Sequence, residues 1–184
     1  MRVVQRAPGV TQVQDRVQVL PPLLCEVLAL LEPWRSAATT SSSGLTMRLD
    51  KGDAPLYARD EPLVVALHTP ATFASHVYVD YYGSHGTMQH LLPNLSEPQH
   101  VFGPEAAYTV GRLDGPQPWR IAPPFGLELV TVIASKKPLF ATPRFGAETA
   151  AAYLDTLRQA LAQQSPGDLA VAFQLLTTRE QPTP

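Results

Sequence analysis

The residues best suited to bind a metal or to take part in catalysis lie between positions 68 and 100. This segment contains all five histidines of the chain. Imidazole and carboxylate side chains bind zinc when three or four of them converge on one point. His76, Asp80 and His90 could meet in this way from neighbouring strands. The close ligand pairs that zinc motifs usually contain are missing, so these three residues form only a weak candidate metal site.

These residues belong to a segment that predicts a β-hairpin. Residues 77–82 are rich in β-branched and aromatic types, as strands usually are. Residues 87–92 continue this pattern after a break at residues 83–86. The loop that closes the hairpin matters, because a shift of one residue turns every side chain to the opposite face.

Two loop lengths are compatible with the hairpin. A two-residue loop would pair Val79 with His90 and place a histidine among valines. A three-residue loop at residues 84–86 pairs Asp80 with His90, and Gly86 can adopt the positive φ that this loop needs. We choose the three-residue loop, which also pairs Tyr78 with Leu92 and Val79 with Leu91.

In this register the hairpin has one apolar face and one mixed face, because successive strand residues point to opposite sides. The apolar face is Val77, Val79, Tyr81 and Leu91. The mixed face is His76, Tyr78, Asp80, Tyr82, Met88 and His90. Tyrosine gives contact area at low entropy cost, so the predicted binding surface is Tyr78, Asp80, Tyr82 and His90. The alternative is a half-solvated sheet face that carries a cross-strand ion pair.

The hairpin loop superficially resembles the turn that carries a nucleophilic serine. Gly83-Ser84-His85-Gly86 lacks the Gly-x-Ser-x-Gly spacing, and a turn between two strands is not the strand-to-helix turn that this chemistry needs. We therefore predict no catalytic residues, no cofactor and a non-enzymatic domain. A hydrolase stays as a second alternative.

Composition narrows the partners and the fold class. The 184 residues include 19 prolines and carry a net charge near −2. Without a basic cluster the chain has no electrostatic footprint for nucleic acid. The frequent prolines suit short strands better than a helical bundle. The apolar run at residues 20–31 is too short to cross a bilayer, so we predict no membrane span in this chain.

The first 44 residues differ from the rest. Alternating residues 10–20 predict a strand, and Pro21-Pro22 opens a short helix that we expect Pro33 to end. Residues 1–35 are thus a strand–helix appendage or the tail of a preceding domain. Residues 36–44 are small and polar, which is typical of a linker.

Residues 45–178 predict a mainly β domain. Short strand patterns recur with turn residues between them, which indicates an antiparallel β-sandwich. Residues 126–134 are apolar on both faces, as in a central strand that is covered on both sides. A helix over residues 147–163 and a strand over residues 168–178 pack on the sandwich. Residues 179–184 are predicted to be a frayed tail.

Several short motifs, in this order, resemble the DUF4384 domain family. They are Gly52-Asp53, Tyr57-Ala-Arg-Asp-Glu61-Pro-Leu-Val-Val, Val77-Tyr-Val-Asp-Tyr-Tyr, Gly86, His90-Leu-Leu-Pro93, Pro123-Pro124-Phe125-Gly126-Leu-Glu-Leu-Val, Ile133-Ala-Ser135 and Pro138-Leu-Phe140. The resemblance covers residues 45–140. It implies a non-catalytic β domain of a larger bacterial protein, such as a serine/threonine kinase or an envelope protein, and it supplies no catalytic residues.

The sequence therefore predicts an interaction or sensor domain with a protein partner. The resemblance implies the extracytoplasmic C-terminal part of a serine/threonine kinase as one setting. A periplasmic or other extracytoplasmic location follows from that setting, whereas the single cysteine leaves the cytoplasm open as well. If the protein works outside the cytoplasm, we expect this chain to be a piece of something longer. A metal- or small-ligand-binding envelope domain is the first alternative.

Overall fold

The computed structural model of the protein describes residues 2–7, 10–15, 19–40 and 44–181. These residues contain twelve strands and two helices. The strands are β1 (Arg2–Ala7), β2 (Val10–Asp15), β3 (Thr46–Leu49), β4 (Leu56–Ala58), β5 (Val65–His68), β6 (Ser75–Tyr82), β7 (Thr87–Leu92), β8 (Val101–Phe102), β9 (Ala107–Val110), β10 (Leu127–Ser135), β11 (Ala147–Thr149) and β12 (Leu169–Arg179). The helices are α1 (Pro22–Thr40) and α2 (Ala150–Leu161).

A seven-stranded sheet forms the middle of the fold. Its strand order is β11-β7-β6-β10-β12-β4, and β8 pairs with β6 beside this path. β10 runs antiparallel to both of its neighbours, and every residue of β10 after Leu127 is buried. This confirms the predicted central strand that is covered on both sides. The pairing of β4 with β12 is parallel, unlike the other pairs of this sheet.

A small sheet packs against one face of the large sheet. It has three antiparallel strands in the order β3-β5-β9. Apolar side chains of both sheets form one core between them, and this core includes Leu49, Leu67, Val79, Val110, Val130 and Val132. The antiparallel β-sandwich predicted from the sequence is therefore confirmed.

The two helices cover the opposite face of the large sheet. The buried residues of α2 form one apolar stripe, namely Ala150, Tyr153, Leu154, Leu157 and Leu161. They share a second core with β12, whose Leu169 and Val171 are buried there. The C-terminal helix and the final strand are confirmed. The helix begins at Ala150 rather than Ala147, because residues 147–149 pair with β7 as β11.

The N-terminal region departs from the prediction. α1 continues through Pro33 to Thr40, so Pro33 does not end the helix and residues 36–40 are not an unstructured linker. Proline removes the donor to the carbonyl of Ala29, but both residues are exposed, so water can replace the lost partner. Leu24, Val27 and Leu31 are buried in the core beneath α2, which holds α1 on the main domain. Residues 10–20 contain β2, which pairs with β1 as an antiparallel hairpin.

The remaining boundary expectations have mixed outcomes. Residues 41–43 of the predicted linker and 182–184 of the predicted tail lie outside the described residues. Arg179 belongs to β12 rather than to a frayed end. In the part of the chain that the structure describes, neither helix has the length and apolar character needed to cross a membrane.

The central hairpin is β6 and β7 with the three-residue loop predicted. The Gly83 N–H donates a hydrogen bond of 2.9 Å to the Thr87 carbonyl, and Gly86 has φ +84°. Asp80 pairs with His90, as predicted. Leu91 is one extra residue on β7, however, so Val79 pairs with Leu92 and the predicted pairs Val79–Leu91 and Tyr78–Leu92 are wrong. This bulge lets both Leu91 and Leu92 enter the core between the sheets.

Candidate functional site

The hairpin and the segment after β10 together build a polar cluster of Asp80, His90, Arg144, Glu148 and Tyr153. Arg144 and Glu148 are half-buried, and the other three residues are buried. His90 lies at its centre, with Nδ1 2.7 Å from Asp80 Oδ1 and Nε2 2.9 Å from Glu148 Oε1. The Tyr153 hydroxyl donates to Asp80 Oδ2 at 2.5 Å. Arg144 donates to both oxygens of Glu148, at 2.9 and 2.5 Å. Each charged group thus meets a partner of opposite charge.

The predicted binding surface does not face solvent. Tyr78, Asp80, Tyr82 and His90 are 4%, 0%, 0% and 3% exposed. They do share one face of the hairpin, but α2 covers that face and Tyr153 packs edge-on against the His90 ring at 5.1 Å. The alternative of a half-solvated mixed face is wrong, because α2 covers this face of the hairpin. Asp80 and His90 have hydrogen-bond partners within the fold rather than in water.

The environment of the cluster shifts the pKa values of His90, Glu148 and Tyr153. Burial alone lowers the pKa of His90, but the hydrogen bonds and negative charges of Asp80 and Glu148 outweigh it, so the pKa is raised. Burial acts to raise the pKa of Glu148, yet Arg144 and His90 lower it overall. Burial, followed by the charge of Asp80, raises the pKa of Tyr153 well above its usual value. The arrangement therefore favours an imidazolium between two carboxylates and a neutral phenol.

Two further hydroxyls lie beside Asp80. Tyr82 is on the same strand face, and Thr131 of β10 is directly opposite Asp80 in the sheet. Both hydroxyl oxygens are buried and form no hydrogen bond of good geometry with the described residues. Burial raises the pKa of Tyr82 well above its usual value. Tyr82 thus adds an uncharged donor near the carboxylate.

The weak candidate metal site is only partly assembled. Asp80 and His90 are adjacent, whereas His76 lies four residues away along β6, which is roughly 13 Å. The His76 ring packs instead near the His100 ring, with centroids 5.6 Å apart. Among the residues that the structure describes, no group of three or more metal-binding side chains converges.

A cavity of about 240 Å³ opens on the other side of the hairpin. We call it the Glu128 cavity; its walls include Leu63, Tyr81, Met88, Leu91, Trp119 and Glu128. The Tyr81 hydroxyl donates to the Glu128 carboxylate, which is 1% exposed. Burial raises the pKa of Glu128, although hydrogen bonds from Tyr81 and Thr178 oppose the shift.

A larger recess of about 400 Å³ runs beside β9. We call it the β9 recess; its lining includes Glu97, Ala107, Tyr108, Thr109, Arg112 and Gln117. Ala107, Tyr108 and Thr109 are consecutive residues of β9, and their side chains point alternately to the two faces of the sheet. Because the recess contacts all three residues, it lies along the edge of β9. The Tyr108 hydroxyl donates to Glu97 at 2.6 Å across it.

Sequence reasoning found Asp80 and His90 but missed the residues that complete both sites. Glu148 and Tyr153 are 58 and 73 positions from their partners His90 and Asp80. No local pattern links residues at such separations. Glu128 left a signal, because it is a carboxylate within an otherwise apolar central strand, and buried carboxylates need a compensating partner.

The fold is that of a β-sandwich domain with helices on one face, and it contains the Glu128 cavity and the β9 recess. Residues 57–138, a little under half of the chain, match the family model described as "Domain of unknown function (DUF4384)". The predicted resemblance is confirmed by this match, which covers residues 57–138. Neither a curated protein nor a solved structure matches the chain.

Proposed function

We propose that the domain is a non-catalytic interaction module that binds an extended segment of a protein partner along the edge of β9. The observation that carries this proposal is the position of β9 in the small sheet. It pairs with β5 on one side, and no strand pairs with its other side among the residues that the structure describes. Open strand edges are templates for an added strand.

The open edge presents specific backbone groups. In an antiparallel pair, residues alternate between those whose N–H and C=O groups face the neighbour and those whose groups point away. The Thr69 N–H donates to the Ala106 carbonyl, just before β9 pairs with β5. Counting from that pair, Tyr108 faces β5, whereas Ala107 and Thr109 direct their N–H and C=O groups to the open side.

Exposed apolar side chains are available in the two loops that contribute residues to the β9 recess. Leu95 is 82% exposed and Leu113 is 59% exposed, and each lies in a loop that borders the recess. The Ser96 hydroxyl donates to Gln117 at 3.2 Å and joins these two loops. An extended peptide would gain backbone hydrogen bonds from the edge and side-chain contacts from the leucines.

The setting of the module is part of the same proposal. The resemblance to DUF4384 supports a larger bacterial multidomain protein, and a serine/threonine kinase with this domain outside the cytoplasm is the setting we favour. In the larger protein, alkaline phosphatase fused directly after the residue that corresponds to position 181 of this chain should be active in cells if the domain is extracytoplasmic. An inactive fusion that is expressed at a normal level would place the domain in the cytoplasm.

The interaction is tested with a peptide library and two substitutions at one position. Linear decapeptides displayed on phage are selected on the wild-type protein, and the affinity of one selected peptide is measured by fluorescence polarisation. Thr109→Pro removes an outward N–H, and edge positions tolerate proline. Thr109→Val keeps that N–H and the shape of the side chain.

We expect Thr109→Pro to weaken binding by about tenfold or more, the equivalent of one lost hydrogen bond. Thr109→Val should bind as the wild type does. Equal affinity of the proline variant, or a selection that yields no binding peptide, would contradict the proposed edge.

A further inference from the structure

We propose that the Glu128 cavity is a binding site for an alkylammonium group, held by ion pairing with the Glu128 carboxylate and by the aromatic side chains around it. This site lies apart from the β9 recess, and the inference does not depend on the proposed peptide interaction. The same chemistry could come from a free small amine or from a lysine side chain.

The first argument is a missing counter-charge. Glu128 is almost completely buried, and no salt bridge of the described residues includes it. Buried carboxylates are usually paired, because losing hydration is costly for a charged group. The raised pKa of Glu128, caused first by burial, reflects that cost. The charge of His85 and hydrogen bonds from Tyr81 and Thr178 act against this rise of the pKa. An ammonium group in the cavity would supply a direct ion pair.

The second argument is the shape and lining of the cavity. Its volume of about 240 Å³ exceeds the roughly 150 Å³ that accommodates a benzene molecule. Leu63 and Leu91 provide apolar walls for an alkyl chain. The rings of Tyr81 and Trp119 also line it, and aromatic rings attract cations through their faces.

The third argument concerns the cation at the rim. Arg120 lines the cavity but is exposed, and its guanidinium donates to the Asp60 carbonyl at 2.8 Å. It is therefore held on the outside and does not fill the site. The positive charge of Arg120 would repel a bound ammonium group. We therefore expect that replacing Glu128 weakens binding, whereas replacing Arg120 strengthens it.

The test uses tryptophan fluorescence. The chain has two tryptophans, and Trp34→Phe leaves Trp119 as the only reporter. The probes are n-butylammonium and N-acetyl-lysine-amide, which are both protonated near pH 7. Neutral n-butanol and anionic butyrate have similar alkyl chains and serve as controls. We expect saturable binding of an ammonium probe and no saturable binding of either control. Tighter binding of n-butylammonium would indicate a free amine as the source, and tighter binding of the lysine derivative a lysine side chain.

Substitutions then locate the site. Glu128→Gln keeps the size of the side chain and its ability to accept from Tyr81, and it should weaken ammonium binding by about tenfold or more. Arg120→Ala should tighten binding, whereas Arg112→Ala, at the β9 recess, should leave it unchanged. Far-ultraviolet circular dichroism checks that each variant is folded. Failure of both ammonium probes to saturate, equal binding of n-butanol, or unchanged affinity of Glu128→Gln would overturn the proposal. If Glu128→Gln does not fold, weaker binding by Arg120→Ala would overturn it instead.

Discussion

The Tyr153 hydroxyl donates a hydrogen bond of 2.5 Å to Asp80, and both residues are completely buried. This contact joins α2 to the central hairpin across the helix-side core. A buried carboxylate that loses a donor keeps its desolvation cost without the compensation. The bond therefore stabilises the packing of α2 on the sheet.

We expect Tyr153→Phe to lower the free energy of unfolding by about 1–3 kcal/mol. Urea denaturation followed by circular dichroism measures this loss. Tyr108→Phe is the matched control, because Tyr108 also donates to a carboxylate, that of Glu97, but is partly exposed. Water can replace that donor, so its loss should be under about 1 kcal/mol. Equal losses of unfolding free energy in the two variants would show that the buried hydrogen bond to Asp80 stabilises the fold no more than the partly exposed one to Glu97.

The polar cluster around His90 should make stability depend on pH in a defined window. The pKa of His90 is raised from 6.5 because Asp80 and Glu148 outweigh the effect of burial, which alone would lower it. Its contribution to stability is present below pH 6.5 and is lost as the pH rises through the folded-state pKa. The pKa of Glu148 is lowered from 4.5 by Arg144 and His90, against the opposing effect of burial. That contribution is present above pH 4.5 and is lost as the pH falls.

His90→Gln isolates the alkaline side of this window. The wild type should exceed this variant in unfolding free energy by more at pH 5.5 than at pH 8.5, because the imidazolium is stabilised only in the wild type. Urea denaturation at both pH values gives the difference. His85→Gln changes an exposed histidine in the same hairpin and should follow the wild type at both values. A difference between wild type and His90→Gln that is constant with pH would refute the assignment of charge to His90.

Local sequence rules predicted the hairpin well. Gly86 has the positive φ that the three-residue loop requires, and Asp80 pairs with His90 as expected. The predicted solvent exposure of the Asp80 face of the hairpin was wrong, because the pattern of residues in a strand does not reveal which element packs on that face. Tyr153 lies 73 positions beyond Asp80, and only the three-dimensional fold brings them together.

Two other misses have different causes. The extra residue at Leu91 leaves no mark in the alternation, since both Leu91 and Leu92 are apolar and both are buried. Pro33 usually ends a helix, but packing of Val27 and Leu31 on either side of the exposed Ala29 carbonyl maintains α1. Tertiary packing thus outweighs the local preference at Pro33, whereas at Leu91 the sequence carries no local signal.

Gly111 lies where the end of β9 passes close to the residues before β5. Its φ is +80°, and a Cβ at this position would come within 3.0 Å of the Leu63 carbonyl oxygen, a distance that real Cβ atoms essentially never reach. Gly52 has nearly the same φ, +79°, but an added Cβ would meet nothing within 4 Å. The two glycines thus share the backbone strain of an alanine and differ in the space around it.

We expect Gly52→Ala to cost about 1–2 kcal/mol of unfolding free energy, which is the strain of a left-handed conformation alone. Gly111→Ala should cost about 1–3 kcal/mol more, because the Leu63 carbonyl belongs to the backbone and cannot move aside as a flexible side chain can. Urea denaturation of both variants measures the difference. Equal costs would show that the backbone at Leu63 can move away from a side chain at position 111 without loss of stability.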